Sequence, residues 1–355
     1  MHQLDDREFV LRLDPRGMYQ LTADFPNQCR RALEIGRAEP LEPLADWPDV
    51  VMLTGLGGSA AGGDFVRALI EHEGHVPFIV NRDYQLPKYV GGQSVLFACS
   101  YSGNTEETLS AYRDAQVREC HRIVVTSGGR LAELADAEDH VPVFLIPGGQ
   151  PPRTALGYML IPVVVACQRW GFLAEQPYER AFELLERCVR DWGIDTPYDQ
   201  NPAKKLAVAL KGSVSVLYGL GSYQAVVANR WKGQINENSK NMTFANAFPE
   251  LNHNEILGWV KANGQGVDRW VAVILEDGRE SAKMKERAKV TSELISGVCE
   301  VHRVQARGES LLERMLSLTL FGDFVSLYLA ALNEVDPENI DSINVLKKAL
   351  AAVPG

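Results

Sequence analysis

From residue 50 onward one unit recurs: a short apolar run, a glycine-bearing turn, then a helix-length segment. The runs are VVMLTG, ending at Gly55, then VPFIVN (76–81), SVLFACS (94–100), HRIVVTS (121–127) and VPVFLIP (141–147). Residues 60–73, 105–119 and 130–138 between them read as helices. A strand covered on both faces shows unbroken apolar character, and helical crossovers force such strands to run parallel. The alternation therefore predicts an α/β fold with a doubly wound parallel sheet.

The second half repeats the theme with VSVLYG (214–219), a long polar helix, DRWVAVILE (268–276) and VCEVHRVQA (298–306). Val51-Met-Leu-Thr-Gly-Leu-Gly57 aligns with Ser215-Val-Leu-Tyr-Gly-Leu-Gly221, which points to two copies of one unit. The expected organisation is an N-terminal helical segment over 1–48, interrupted by Pro15 and Pro26, and a first α/β domain over 49–150. Linker helices follow over 151–200, with Tyr158 to about Asp191 helical, and a second α/β domain covers 201–308. Residues 309–355 hold two closing helices, about Leu311–Leu332 and Ile340–Ala352.

At 355 residues, with Lys+Arg 36 against Asp+Glu 46, the net charge is −10. So acidic a surface argues against nucleic-acid or anionic-membrane partners. The longest apolar stretch, Tyr158 to Cys167, contains Pro162 and is too short to span a bilayer. The N-terminus MHQLDDREFVLRLDPRGM lacks an apolar signal core, and the six cysteines form no CxxC pair. A cytoplasmic protein with reduced, mostly buried thiols is expected.

An anionic ligand must then be attracted locally. Two loops at the C-terminal ends of expected strands are built for that: Gly55-Leu-Gly57-Gly58-Ser59-Ala-Ala-Gly62-Gly63 and Ser100-Tyr101-Ser102-Gly103-Asn104-Thr105-Glu-Glu-Thr108. Glycines admit close backbone approach, and the helix that follows aims its first N–H groups at the ligand. Ser59, Ser100, Ser102 and Thr105 add hydroxyls. The second copy has Ser222-Tyr223-Gln224 where the first has Gly58-Ser59-Ala60, so only the first copy is read as an anion cradle. Two rival readings exist. Gly55-x-Gly57-x-x-Ala60 fits a loose dinucleotide fingerprint, but no acidic residue stands near twenty positions on, where the strand end reads Asn81-Arg82-Asp83. Thr105 also fits a plain helix N-cap. His72-Glu-Gly-His75 has neither the HExxH spacing nor a third ligand nearby, so no metal is expected.

The GGSA and SYSGNTEET loops resemble the sugar isomerase (SIS) domain. Asn236-Glu237-Asn238-Ser239-Lys240, Pro249-Glu250-Leu251-Asn252-His253-Asn254-Glu255 and Gly258-Trp259 resemble the bifunctional phosphoglucose/phosphomannose isomerases of archaea and bacteria. The resemblance covers about residues 50–350. It implies two tandem SIS domains with flanking helices, a homodimer with a shared active site, and no cofactor or metal. The implied reaction is reversible conversion of glucose 6-phosphate and mannose 6-phosphate to fructose 6-phosphate. By position it implies phosphate contacts from Gly58, Ser59, Ser100, Ser102 and Thr105. It also implies Arg153 as the active-site arginine, Glu237 as the base, His253 from the partner subunit and Lys347, placed by a loose I-x-x-L-K pattern, as the C-terminal lysine.

These types suit the chemistry. A carboxylate can take a proton from one carbon and return it to the next. A guanidinium offsets enediolate charge, and an imidazole exchanges protons near neutral pH for ring opening. Each has an ordinary alternative: a solvated helix glutamate, a loop salt bridge, a structural histidine, an exposed lysine. Glu250 and Glu255 are the nearest competitors of Glu237. A phosphosugar-binding regulator without catalysis, or an isomerase of another sugar phosphate, are the alternative functions.

Overall fold

The structure, a computed structural model, describes residues 2–350 and 352. Helices α1 (Arg7–Leu11), α2 (Met18–Ala23) and α3 (Phe25–Ala38) come first. Pro26 lies in the first turn of α3, where its missing N–H leaves no bond unmade, so it opens a helix rather than interrupting one. Then follow β1 (Val50–Thr54), α4 (Gly57–Glu73), β2 (Phe78–Asn81), β3 (Ser94–Ser100), α5 (Glu106–Val117), β4 (His121–Thr126), α6 (Gly129–Asp136) and β5 (Val143–Leu145). The expected single helix from Tyr158 to Asp191 is two, α7 (Leu156–Arg169) and α8 (Tyr178–Trp192). The chain breaks at Gly171, whose φ of 78° is left-handed, and Pro177 stands just before α8.

The rest comprises α9 (Pro202–Leu210), β6 (Val214–Gly219), α10 (Ser222–Ser239), β7 (Thr243–Ala247), β8 (Trp270–Glu276), α11 (Ala282–Ile295), β9 (Glu300–Gln305), α12 (Leu311–Leu332) and α13 (Asp341–Leu350). Of the helix expected over Ile340–Ala352, Ala351 lies outside the described residues and Ala352 is in a turn.

The chain divides into two compact units. One holds residues 24–186 and 308–316; the other holds 1–23, 187–307 and 317–355.

In the unit of residues 24–186 the sheet order is β2-β1-β3-β4-β5, every pair parallel. β1 and β3 are buried along their whole length, which is why their sequences show no polar alternation. Helix α7 is buried on all sides from Leu156 to Cys167, so it too is apolar all round. Strand order reverses between β1 and β3. In an open α/β sheet that reversal opens a crevice at the strands' carboxyl ends.

The other unit has the order β7-β6-β8-β9, again all parallel. Helix α12 is longer than the Tyr158–Cys167 stretch, and it is apolar enough to cross a membrane by length and composition alone. Its apolar window is entirely buried inside the protein, as for a core helix. Polar pairs set its register against α10. Arg230 Nη2 and Gln234 Nε2 each donate to Asp323 at 3.0 Å, and Asn238 Nδ2 donates to Ser326 Oγ at 2.9 Å. Lys204 is fully buried, with its ammonium on Asp5 Oδ1 at 3.1 Å and the Ile194 carbonyl at 2.9 Å. That pair ties the first residues of the chain to α9. The fold is α/β with two tandem doubly wound parallel sheets and flanking helices.

Candidate active site

The reversal between β1 and β3 is where the two glycine- and hydroxyl-rich loops meet. A Cβ on Gly55 would lie 2.8 Å from the Cys99 carbonyl, so the two strand ends are in backbone contact. Ser59 is buried in the first turn of α4, and its Oγ accepts the Tyr101 N–H at 3.2 Å. Ser100 Oγ and Thr105 Oγ1 are 3.0 Å apart. Thr105 does stand at the N-cap position of α5, but its side chain makes no cap bond there. Its hydroxyl pairs with Ser100 instead. Helix α4 likewise has no side-chain cap. The exposed Ser102 accepts the Asn104 N–H at 3.3 Å.

A third loop locks the second in place. Gly103 has φ +67°, and a Cβ there would fall 1.7 Å from the Gly128 carbonyl, so no other residue fits. Asn104 bridges onward, donating to Ser102 O at 3.0 Å and accepting the Arg130 N–H at 3.1 Å. Tyr101 donates its hydroxyl to the Pro147 carbonyl at 3.1 Å and accepts the Gln150 N–H at 3.2 Å. The cradle thus shows backbone amides and hydroxyls on interlocked turns.

Arg153 belongs to the same unit. It is buried in the short 3-10 turn Pro152–Thr154. A Cβ on Gly58 would meet the Pro152 carbonyl at 2.8 Å and Arg153 Cα at 3.4 Å, so the turn lies against the first loop. Gln28 of α3 pins the turn: its Nε2 donates to Thr154 O at 2.8 Å, and its Oε1 accepts the Gly157 N–H at 2.7 Å. Sequence reasoning missed Gln28. Its signal is a polar residue on the buried stripe that Phe25, Cys29, Ala32 and Leu33 mark along α3. Gly58, Ser59, Ser100, Thr105 and Arg153 are therefore gathered at one end of one sheet, with Ser102 on the rim.

Glu237, His253 and Lys347 belong to the other unit. Glu237 is half-buried in the last turn of α10. Its neighbours anchor that turn. Asn236 donates to Thr243 O at 3.0 Å and accepts the Thr243 N–H at 3.1 Å, copying a strand rung against β7, while Asn238 holds α12. His253 is exposed at the end of the 3-10 turn Glu250–His253. Lys347 is exposed on α13, a helix with no buried residue. The competitor carboxylates are engaged: Glu250 accepts Asn254 Nδ2 at 2.7 Å, and Glu255 accepts both the Tyr218 hydroxyl and Asn246 Nδ2.

The corresponding turn of the second sheet carries carboxylates of its own. Tyr223 donates to Asp277 Oδ2 at 2.8 Å, and the Asp277 N–H, placed where an anion would take it, is given to Glu280 Oε1 at 2.6 Å. A groove of about 470 Å³ there is bordered by Glu276, Glu280 and Glu286 and, in equal number, by Lys285, Lys289 and Arg303. Its charges are already engaged with one another: Arg303 pairs with Glu276, and Glu280 takes the Asp277 amide.

Residues 199–350 match the bacterial phospho-glucose isomerase C-terminal SIS domain. The chain is 39% identical over 339 residues to the bifunctional phosphoglucose/phosphomannose isomerase of Caldicellulosiruptor bescii, covering 95% of this chain and 99% of that one. It is 34% identical to the protein of the same name from Thermoplasma acidophilum, covering 85% and 89%. Among solved structures, a hypothetical protein from Thermus thermophilus superposes with a TM-score of 0.74 at 16% identity, covering 98% of this chain and 94% of that one, which speaks for the fold. With full-length relatives at this identity, the chain belongs to the bifunctional phosphoglucose/phosphomannose isomerases, a family of tandem SIS domains.

Proposed function

We propose that the chain reversibly converts glucose 6-phosphate and mannose 6-phosphate to fructose 6-phosphate through a cis-enediolate, without a metal or cofactor. The observation that carries this is the cradle at the β1/β3 reversal: interlocked hydroxyls and helix-start amides beside a buried arginine turn. Gly58, Ser59, Ser100, Ser102 and Thr105 hold the phosphate. A dianion there draws charge-assisted hydrogen bonds from neutral donors, which suits a protein whose overall field repels anions.

His253 and Lys347 serve ring opening, the imidazole exchanging the O1 proton and the ammonium donating to the ring oxygen or to phosphate. Glu237 takes the C2 proton of the open aldose and returns it to C1. Arg153 offsets the negative charge on the enediolate oxygens as it develops. Both aldoses give the same enediolate, so one base serves both. Their return differs only in which face of C2 regains the proton, and rotation about C2–C3 in the pocket allows either.

The assembly we propose is a homodimer in which His253 reaches the partner's site. The exposure of His253 and Lys347 supports it, as do the exposed apolar side chains of Leu257 and Val260 and, on α13, of Val345 and Leu346. A reducing cytoplasmic setting fits the six buried, unpaired cysteines.

The test is incubation with fructose 6-phosphate, following both aldose products. Formation of glucose 6-phosphate and mannose 6-phosphate is expected. Binding without turnover would favour a regulator, and turnover of only a different sugar phosphate would move the substrate assignment.

A further inference from the structure

Glu255 lies two residues beyond His253 and is gripped on both carboxylate oxygens. Oε1 accepts the Tyr218 hydroxyl at 2.5 Å and Oε2 accepts Asn246 Nδ2 at 2.6 Å. Tyr218 and Asn246 are direct partners across β6 and β7, so one carboxylate closes a rung of the sheet. Trp259 Nε1 donates to the same Tyr218 oxygen at 2.9 Å, and its ring meets Trp270 edge-on at 5.5 Å.

The residues between are fixed as well. Asn254 Oδ1 accepts the Glu255 N–H at 2.6 Å. Asn252 Nδ2 donates to Thr291 Oγ1 of α11 at 2.9 Å, and Leu251 is fully buried. His253 stands exposed between two clamped neighbours. Glu255 is half-buried, where an apolar side chain could fill the space without the cost of covering a charge. What the carboxylate adds is two short, directional, charge-assisted bonds that fix a loop to two strands at once.

We propose that Glu255 is a positioning residue of the isomerase reaction: it holds the 250–259 loop on β6 and β7 and thereby sets where His253 exchanges its proton. The inference rests on the role given to His253 above.

The test is a polarity swap. In Glu255→Gln a single amide oxygen replaces two acceptor oxygens, at unchanged volume, so the Tyr218 hydroxyl and Asn246 Nδ2 can no longer both donate to this side chain. Adding Asn246→Asp turns position 246 into an acceptor and restores both hydrogen bonds and the charge. The single variant is expected to lose about 10–100-fold in kcat, as for a displaced catalytic group, with inhibition by inorganic phosphate unchanged. The double variant is expected to recover to within about threefold of the parent.

Parental kcat in folded Glu255→Gln, failure of the folded double variant to recover, or weakening of phosphate inhibition in step with kcat would each overturn the proposal. Should Glu255→Gln not fold, Tyr218→Phe, which removes one of the two bonds, is read by the same kcat and phosphate criteria. His253→Ala separates the two claims. Full turnover in that variant removes the role of His253 itself; an inactive His253→Ala beside a fully active Glu255→Gln removes only the role of Glu255.

Discussion

Gly58 shows how little room separates the phosphate loop from the arginine turn. A methyl group there meets the Pro152 carbonyl at 2.8 Å, and backbone cannot swing aside as a side chain can. Gly58→Ala is expected to displace the Arg153 turn and lower kcat by about tenfold or more, with far-UV circular dichroism unchanged. Parental kcat would show that the turn is not coupled to the first loop. At this scale the sequence was most legible where chemistry demands a residue type: glycines for close approach and hydroxyls for an anion. It was least legible where one side chain serves a distant one. Thr105 fits a cap by pattern, but only the fold brings Ser100 near enough to compete for its hydroxyl. Gln28 acts on a loop more than a hundred residues away, and spacing along α3 cannot say which loop.

Strands covered on both faces announced themselves as apolar runs, and β3 has the limits its sequence suggests. The edge strand β7 did not. Only Thr243 in it is buried, and TFANA carries no apolar run. The break between α7 and α8 is marked only by Gly171 and Pro177, which stand between two segments that each read as helix, one apolar all round and the other amphipathic. The link between α9 and the first turn of the chain is a long-range ion pair with no sequence signature. Burial alone would raise the pKa of Asp5, but hydrogen bonds from Lys204 and the Tyr198 amide, with the Lys204 charge, outweigh it and hold the carboxyl below its usual value. A depressed carboxyl stabilises the fold above the unfolded-state pKa of about 4, and the benefit disappears as pH falls through the folded value. Asp5→Asn is therefore expected to cost about 1–3 kcal/mol at pH 7. The difference from the parent should shrink toward zero below about pH 4. Denaturant unfolding across that range checks it; a gap that widens on acidification would contradict the sign.

For the whole molecule, the repeat at Val51–Gly57 and Ser215–Gly221 made the tandem architecture legible. How helices are shared between the two units was not, because that depends on contacts far apart in the chain: α1 and α2 go with one unit and α3 with the other. A homodimer with shared sites makes a quantitative prediction. Arg153→Ala and His253→Ala chains are each inactive, yet mixed heterodimers rebuild one intact site if the two residues come from different subunits. With random exchange of equal amounts, about a quarter of parental activity should return. None returning after demonstrated exchange would place both residues in sites built from a single chain.

The most direct measurement follows hydrogen at C2 in deuterated water. Parental enzyme incubated with glucose 6-phosphate should exchange the C2 hydrogen for deuterium while fructose 6-phosphate forms. Glu237→Gln should abolish that exchange and still be protected from unfolding by inorganic phosphate. Undiminished C2 exchange in Glu237→Gln would contradict the assignment of that carboxylate as the group that moves the proton.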